Sequence, residues 1–295
     1  MKTLAVILES FVFALMTGNA FAGVVGLSYQ SGAVTNGADP RYNCSVAVWA
    51  GNSSGIGSWA SGTYVRNDDG LTGIVLSGHQ SFGTTNFEVR TGPDVFTDPL
   101  GTYTFTNNLS VDPRYVHTDL AGRRWDTAVL WGVTLPGITP ARILSTVPTL
   151  GTQIIISGYG GLTPVGGPWG TYAGIRLMGT NLVQNYGSWF GAGSPVANAM
   201  IVSRMDSSGG LSEMIGSPGD SGGSAFFDMG GELYLAANLT TNVPNGFFYG
   251  DFTGGTAMGN ADTYSFVTSS LQIPTPGAAA LLGVAGLVAC RRRRS

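Results

Sequence analysis

Residues 219–223 of this 295-residue chain read Gly219-Asp220-Ser221-Gly222-Gly223. A serine hydroxyl acts as a nucleophile when its Oγ sits free on a tight turn, beside a base that takes its proton and backbone N–H groups that hold an oxyanion. Glycines on both sides of Ser221 supply that access. The chain has two histidines, His79 and His117, and both precede the serine. An imidazole base must therefore come from upstream. His79 closes the apolar run Gly73-Ile74-Val75-Leu76-Ser77-Gly78-His79, and Asp126 opens another, Asp126-Thr127-Ala128-Val129-Leu130. A hydroxyl, an imidazole and a carboxylate of this kind can together carry out nucleophilic attack on a carbonyl.

The same pentapeptide fits the Gly-x-Ser-x-Gly elbow of α/β-hydrolases. In that fold the histidine follows the serine; here none lies after residue 117, and the alternation of strands and helices is missing. The order is His79, Asp126, Ser221, with separations of 47 and 95 positions, against about 45 and 93 in the chymotrypsin arrangement. Subtilisin order needs an aspartate before the histidine. Asp39, Asp68 or Asp69 could formally serve, but the glycine-rich surroundings of that family's histidine and serine are not matched. His117, in a polar stretch nine residues before Asp126, reads as an exposed loop residue.

These residues need a frame. Glycine supplies 46 of 295 residues and charged side chains only 11%, against roughly 7% and 25% in ordinary globular chains. High glycine with low charge suits short strands joined by tight turns, since glycine accepts positive φ. A hydrophobic content of 43% is enough for a core and argues against disorder. No collagen period, heptad run or solenoid repeat is present. Short apolar or alternating runs at 45–49, 62–65, 73–76, 87–90, 127–133, 153–157 and 233–237, bounded by Gly, Pro, Asn and Asp, predict strands. No segment before about residue 261 carries a helical period; Ala261–Leu271 predicts one short C-terminal helix. The pattern predicts an all-β chain, as a large barrel or sandwich or as two small barrels side by side.

The two ends read differently from the middle. Residues 1–22 hold Lys2, an apolar run from Leu4 to Met16, and Ala20-Phe21-Ala22, the order of a secretory signal peptide cleaved before Gly23. Residues 277–290 are an apolar stretch followed by Arg291-Arg292-Arg293-Arg294. As a helix this stretch rises about 21 Å, short of the ~30 Å hydrocarbon core, and the arginines act as a positive-inside stop. Setting aside Lys2, Glu9 and the four terminal arginines leaves residues 23–273 with 9 basic and 16 acidic side chains, a net of about −7, and no lysine. That sign disfavours nucleic acids and anionic membranes as partners. Cys44 is alone in the domain, so no internal disulfide forms there, and its apolar run predicts burial. Two histidines without ligand-like spacing imply no metal, and no cofactor is expected.

Across roughly 40–270 the chain resembles the trypsin/chymotrypsin-like serine proteases. The resemblance is carried by Gly219-Asp220-Ser221-Gly222-Gly223, Val75-Leu76-Ser77-Gly78-His79 and Arg124-Trp125-Asp126-Thr127-Ala128-Val129-Leu130. Val111-Asp112-Pro113-Arg114-Tyr115 and Ile155-Ile156-Ser157-Gly158-Tyr159-Gly160 match further landmarks in order. It implies two packed six-stranded antiparallel β-barrels, His79 and Asp126 from the first and Ser221 from the second. It implies Ser221 as nucleophile, His79 as proton carrier, Asp126 as the group that orients the imidazole, and the N–H groups of Gly219 and Ser221 as the oxyanion hole. Asp220 would pair with a freed α-amino group, for which Val24-Val25-Gly26 is a faint candidate; a strand unrelated to activation is the alternative reading of that segment. The chain departs from the family at Gln80 and Ser217, where cysteines are usual. The base of the specificity pocket falls on Ile215, which implies cleavage after small or apolar side chains rather than Arg or Lys.

The tail, with Pro274-Thr275-Pro276 ahead of the apolar stretch and the arginines, resembles a PEP-CTERM sorting signal carrying Thr275 where Glu is usual. The resulting expectation has three parts: signal peptide 1–22, protease domain 23–273, and sorting signal 274–295. It describes a monomeric serine endopeptidase exported to a bacterial cell envelope or beyond, membrane-anchored transiently or permanently. It would act on protein or peptide substrates and be processed by signal peptidase and an exosortase-type enzyme. Two other readings stand beside it: a catalytically silent protease-fold surface or adhesion protein, and a β-rich envelope protein with a chance Gly-Asp-Ser-Gly-Gly.

Overall fold

Strand Ser45–Gly51 is buried along almost its whole length, so both of its edges must be hydrogen-bonded. Gly57–Arg66 covers one edge and Asn86–Thr91 the other, both antiparallel. Outward from these, Thr72–Leu76 pairs with Gly57–Arg66, Ala128–Trp131 with Thr72–Leu76, and Leu109–Val111 with Ala128–Trp131. On the far side Gly101–Thr106 pairs with Asn86–Thr91. Gly101–Thr106 and Leu109–Val111 are one strand bent at Asn107, whose φ of 57° places it in the left-handed region that asparagine tolerates. The bent strand serves both ends of the sheet and closes a six-stranded barrel around Val46, Val48, Tyr64, Ile74, Phe87 and Leu130.

The computed structural model describes residues 24–25, 30–81, 83–117, 124–161, 163–164, 174–186, 199–206, 212–216, 219–242 and 252–273. The expected leader 1–22 and tail 274–295, and Ser217, lie outside the described residues.

The second half repeats the plan. Leu177–Leu182, Gln153–Gly158, Ser224–Met229, Glu232–Asn242, Phe252–Ala257 and Met200–Arg204 pair in that order, all antiparallel. Asn185–Tyr186, just past Leu177–Leu182, pairs with Met200–Arg204 and completes the ring. Ile154, Ile156, Leu177, Ile201, Ala225 and Leu239 fill it. The short strand Ala141–Ile143 runs parallel between Gly57–Arg66 and Glu232–Asn242 and joins the two barrels. The architecture is a double β-barrel.

The helix Ala261–Leu271 starts at Asn260, whose side chain accepts from the N–H groups of Asp262 and Thr263, with Asp262 in the favourable first turn. Its buried positions Thr263, Val267, Ser270 and Leu271 fall on one face. Val267 and Leu271 pack on Val75, Val129 and Leu235, a seam fed by both barrels, and each contributes roughly 1.5–3 kcal/mol.

One expectation is corrected. The chain is not free of helix before residue 261: Gln30–Gly37 is helical. Its sequence carries no apolar stripe, and what holds it is tertiary. Ala33 is fully buried, and the side chain of buried Arg176 donates from Nε to the Gly37 carbonyl at 2.7 Å. A Cβ on Gly37 would lie 1.9 Å from the Arg176 carbonyl oxygen, so only glycine permits this approach. Val24–Val25 forms a small separate sheet, parallel to Thr163–Pro164 and antiparallel to Met214–Ile215.

Candidate active site

Strand Thr72–Leu76 delivers the chain to a single 3-10 turn, Gly78–Ser81, that carries His79. The turn is tied by the Ser81 hydroxyl to the Gly78 carbonyl at 2.5 Å. Gly78 has no room for a side chain: a Cβ there would sit 3.0 Å from the Tyr115 ring and 3.1 Å from Asp126 Oδ1.

Asp126 is fully buried just before Ala128–Trp131. Its carboxylate accepts twice from His79, from the backbone N–H at Oδ1 (2.7 Å) and from Nδ1 at Oδ2 (2.6 Å). A carboxylate only accepts, so the ring hydrogen is assigned to Nδ1 and the lone pair to Nε2. Nε2 stands 2.8 Å from Ser221 Oγ. The three side chains, 47 and 142 positions from His79 along the chain, thus form one hydrogen-bonded line. The His79 side chain keeps 19% of its surface exposed while Asp126 keeps none, which leaves part of the imidazole open to solvent or substrate.

Ser221 sits in a turn with positive φ at Gly219 (96°) and Gly222 (76°), a region glycine enters without strain. A Cβ on Gly222 would approach the Ser61 carbonyl oxygen to 2.3 Å. The turn is closed by Gly223 N–H to the Asp220 carbonyl and pinned by Gly222 N–H to the Leu239 carbonyl, each at 2.7 Å. The first barrel reaches across to it: Ser61 N–H and Gln80 Nε2 both donate to the Ser221 carbonyl, and Ser61 Oγ donates to the Gly219 carbonyl.

The other singled-out residues fall as follows. Asp220 is buried and accepts at Oδ1 from the Gly160 N–H at 3.1 Å. Ile215 is 1% exposed, in the strand beside Val24. Cys44 is buried and free, and burial pushes its thiol up to about 12. His117 is not exposed as expected but half-buried, because it lies edge-on to Tyr115 with its Nδ1 2.9 Å from the phenol oxygen.

Residue-by-residue reading missed three groups that hold the line in place. Asn238, on the second barrel's Glu232–Asn242, donates to the Asp126 main-chain carbonyl and accepts from the Thr127 hydroxyl. Arg114 grips buried Asp112 through two nitrogens and lies 3.9 Å over the Trp125 ring, one residue before Asp126. Gln80 is the third. Of these only Arg114 had a local signal, an Asp-Pro-Arg turn that reads as a side-chain clasp.

On a bridge to Thr180 in the second barrel, Glu213 has its carboxyl pushed up to about 7, first by burial and then by the charge of Asp206. Asp206 N–H donates to it at 3.0 Å.

No protein-family model matches the chain, and no curated protein matches it in sequence. Solved structures do. HL collagenase is similar at 14% identity, over 79% of this chain and 95% of that one, with a TM-score of 0.56. A thermostable serine protease, AL20, from an extremophilic microorganism is similar at 14% over 80% and 100% (TM-score 0.56). The protease Anisep from Arthrobacter nicotinovorans is similar at 15% over 79% and 98% (TM-score 0.56). Together with the paired barrels, these likenesses define the fold as chymotrypsin-like, the fold of these serine proteases.

Proposed function

We propose that the chain is a serine endopeptidase that cleaves peptide bonds through an acyl-enzyme. The observation that carries this reading is the unbroken line Asp126 Oδ2, His79 Nδ1, His79 Nε2, Ser221 Oγ, at 2.6 and 2.8 Å. Ser221 Oγ attacks the carbonyl carbon while Nε2 takes its proton. Asp126 holds His79 by two hydrogen bonds, one to the ring at Nδ1 and one to its backbone N–H, and stabilises the cation formed. The N–H groups of Gly219 and Ser221 receive the oxyanion. The imidazolium then gives its proton to the leaving amine; water, activated by the same nitrogen, releases the acyl group and restores Ser221.

Ile215 at the base of the specificity pocket favours small or apolar side chains before the scissile bond. Asp220, buried beside Gly160, is the partner for a freed amino terminus. Export through residues 1–22 and sorting through 274–295, with signal peptidase and an exosortase-type enzyme as processing partners, complete the proposal. On this reading the domain works at a bacterial cell envelope or outside the cell, and it works as a monomer.

The test is reaction of the full chain, and of 23–273, with a fluorophosphonate probe, the adduct being mapped by mass spectrometry. A stable adduct on Ser221, lost in Ser221→Ala and in His79→Ala, supports the proposal. An unlabelled, well-folded protein sinks it and favours the silent surface protein.

A further inference from the structure

We propose that Gln80 is a positioning residue for the nucleophile, its side-chain amide clamping the Ser221 carbonyl and so fastening the serine turn to the histidine turn across the two barrels. The inference rests on the serine-hydrolase reading above.

Gln80 and His79 share the 3-10 turn Gly78–Ser81 of the first barrel, whereas Ser221 belongs to the second. Gln80 Nε2 donates to the Ser221 carbonyl at 2.5 Å, and Gln80 Oε1 accepts from the Ser77 N–H at 3.3 Å. An acceptor at one end and a donor at the other leave only one orientation of the amide. The same Ser221 carbonyl also accepts from the Ser61 N–H at 3.0 Å. Both of its lone pairs are therefore taken, and both donors come from the first barrel. That fixes the peptide plane that follows the nucleophile's own Cα. Gly222 makes space for the clamp, since a Cβ there would lie 2.9 Å from Gln80 Oε1.

The consequence is a coupled geometry. One end of a four-residue turn presents Nε2 to the serine hydroxyl, and the next residue holds that serine's carbonyl. A shift of the serine turn away from His79 must break the hydrogen bond donated by the Gln80 amide. Cysteine usually stands at this position in the family the chain resembles. Here the hold is a hydrogen bond between the two catalytic turns.

The test compares wild type with Gln80→Met, which keeps length and volume without hydrogen bonds, and Gln80→Glu, which keeps the acceptor for Ser77 but turns an oxygen toward the Ser221 carbonyl. The readouts are the second-order rate constant of fluorophosphonate labelling per folded molecule, kcat and KM on a p-nitrophenyl ester, and the melting temperature. Misplacement of a reacting group by about 1 Å lowers rates by about a hundredfold. We expect labelling and kcat to fall by about 10- to 100-fold in both variants with KM nearly unchanged, the larger loss in Gln80→Glu, and the melting temperature to fall by only about 2–8 °C. Unchanged labelling in either folded variant overturns the proposal. So does a lowered melting temperature with an unchanged rate constant, or failure of both variants to fold, since each makes Gln80 structural. Absence of labelling in wild type removes the serine-hydrolase reading itself, and this inference with it.

Discussion

Asn238 donates its side-chain amide to the main-chain carbonyl of Asp126 at 3.0 Å, from the opposite barrel. Its own oxygen accepts from the Thr127 hydroxyl at 2.9 Å, and the residue is fully buried. The segment that carries the buried carboxylate is thus fastened to the barrel that carries Ser221. Asn238→Ala strands a carbonyl and a hydroxyl away from water. The expected loss is about 2–4 kcal/mol of stability, read from urea unfolding, with slower fluorophosphonate labelling of the protein that remains folded. A variant that unfolds at the wild-type urea midpoint contradicts this.

Arg114 holds Asp112 by Nε and a terminal nitrogen at 2.9 and 2.6 Å, reaches Asp262 of the C-terminal helix at 3.0 Å, and stacks on Trp125. Asp112 is buried, so Arg114→Ala leaves a carboxylate without its cation. Because the guanidinium is partly exposed, we expect a loss of about 2–3 kcal/mol rather than the full buried-pair value. Arg114→Lys recovers the charge but neither the paired hydrogen bonds nor the stacking, and recovers less than half of the loss. Calorimetry of the three proteins checks the ranking.

Glu213 predicts how stability follows pH. Burial, with Asp206 behind it, raises its carboxyl from 4.5 to about 7 in the folded chain. Between those values the folded chain keeps a proton that the unfolded chain has released, so stability is full below about 4.5 and falls as pH rises through about 7. With partial exposure screening the effect, it is on the order of 1 kcal/mol, or about 2–4 °C in melting temperature. Melting curves of wild type and Glu213→Gln across that window test it. The glutamine variant is expected to lose this part of the slope, and parallel profiles would count against the assignment.

Arg176 is fully buried, and its guanidinium bonds the Gly37 and Asp39 carbonyls and Asn43 Oδ1 at 2.7–3.0 Å. Arg176→Met removes the donors that satisfy the end of the helix Gln30–Gly37. Residues 30–43 are expected to lose amide-exchange protection by at least tenfold while the first-barrel strands keep theirs. Uniform loss throughout the protein would mean that the residue supports the whole fold instead.

Local sequence carried the strand content well where burial has a clear period. Each of the seven predicted strand runs overlaps an observed strand, because alternating or apolar residues between glycine-rich turns can bury a face only in extended form. Gly101–Thr106 also carries such a period, Thr102-Tyr103-Thr104-Phe105-Thr106, and lay outside the predicted runs, whereas Phe252–Ala257, with two glycines, gave no such signal and became a strand by pairing. The helix Gln30–Gly37 was equally silent, since its hold is an arginine about 140 positions away.

The types and order of His79, Asp126 and Ser221 were readable in the sequence, as was the glycine frame that lets the serine turn form. The distances among them were not, and neither were the roles of Gln80, Asn238 and Arg176, which read as ordinary polar side chains. A sequence pattern reports which faces of one element avoid water. Only the closure of two barrels, and their packing on each other, brings side chains 47 and 142 positions apart within hydrogen-bond reach. It also decides which buried amide meets which carbonyl.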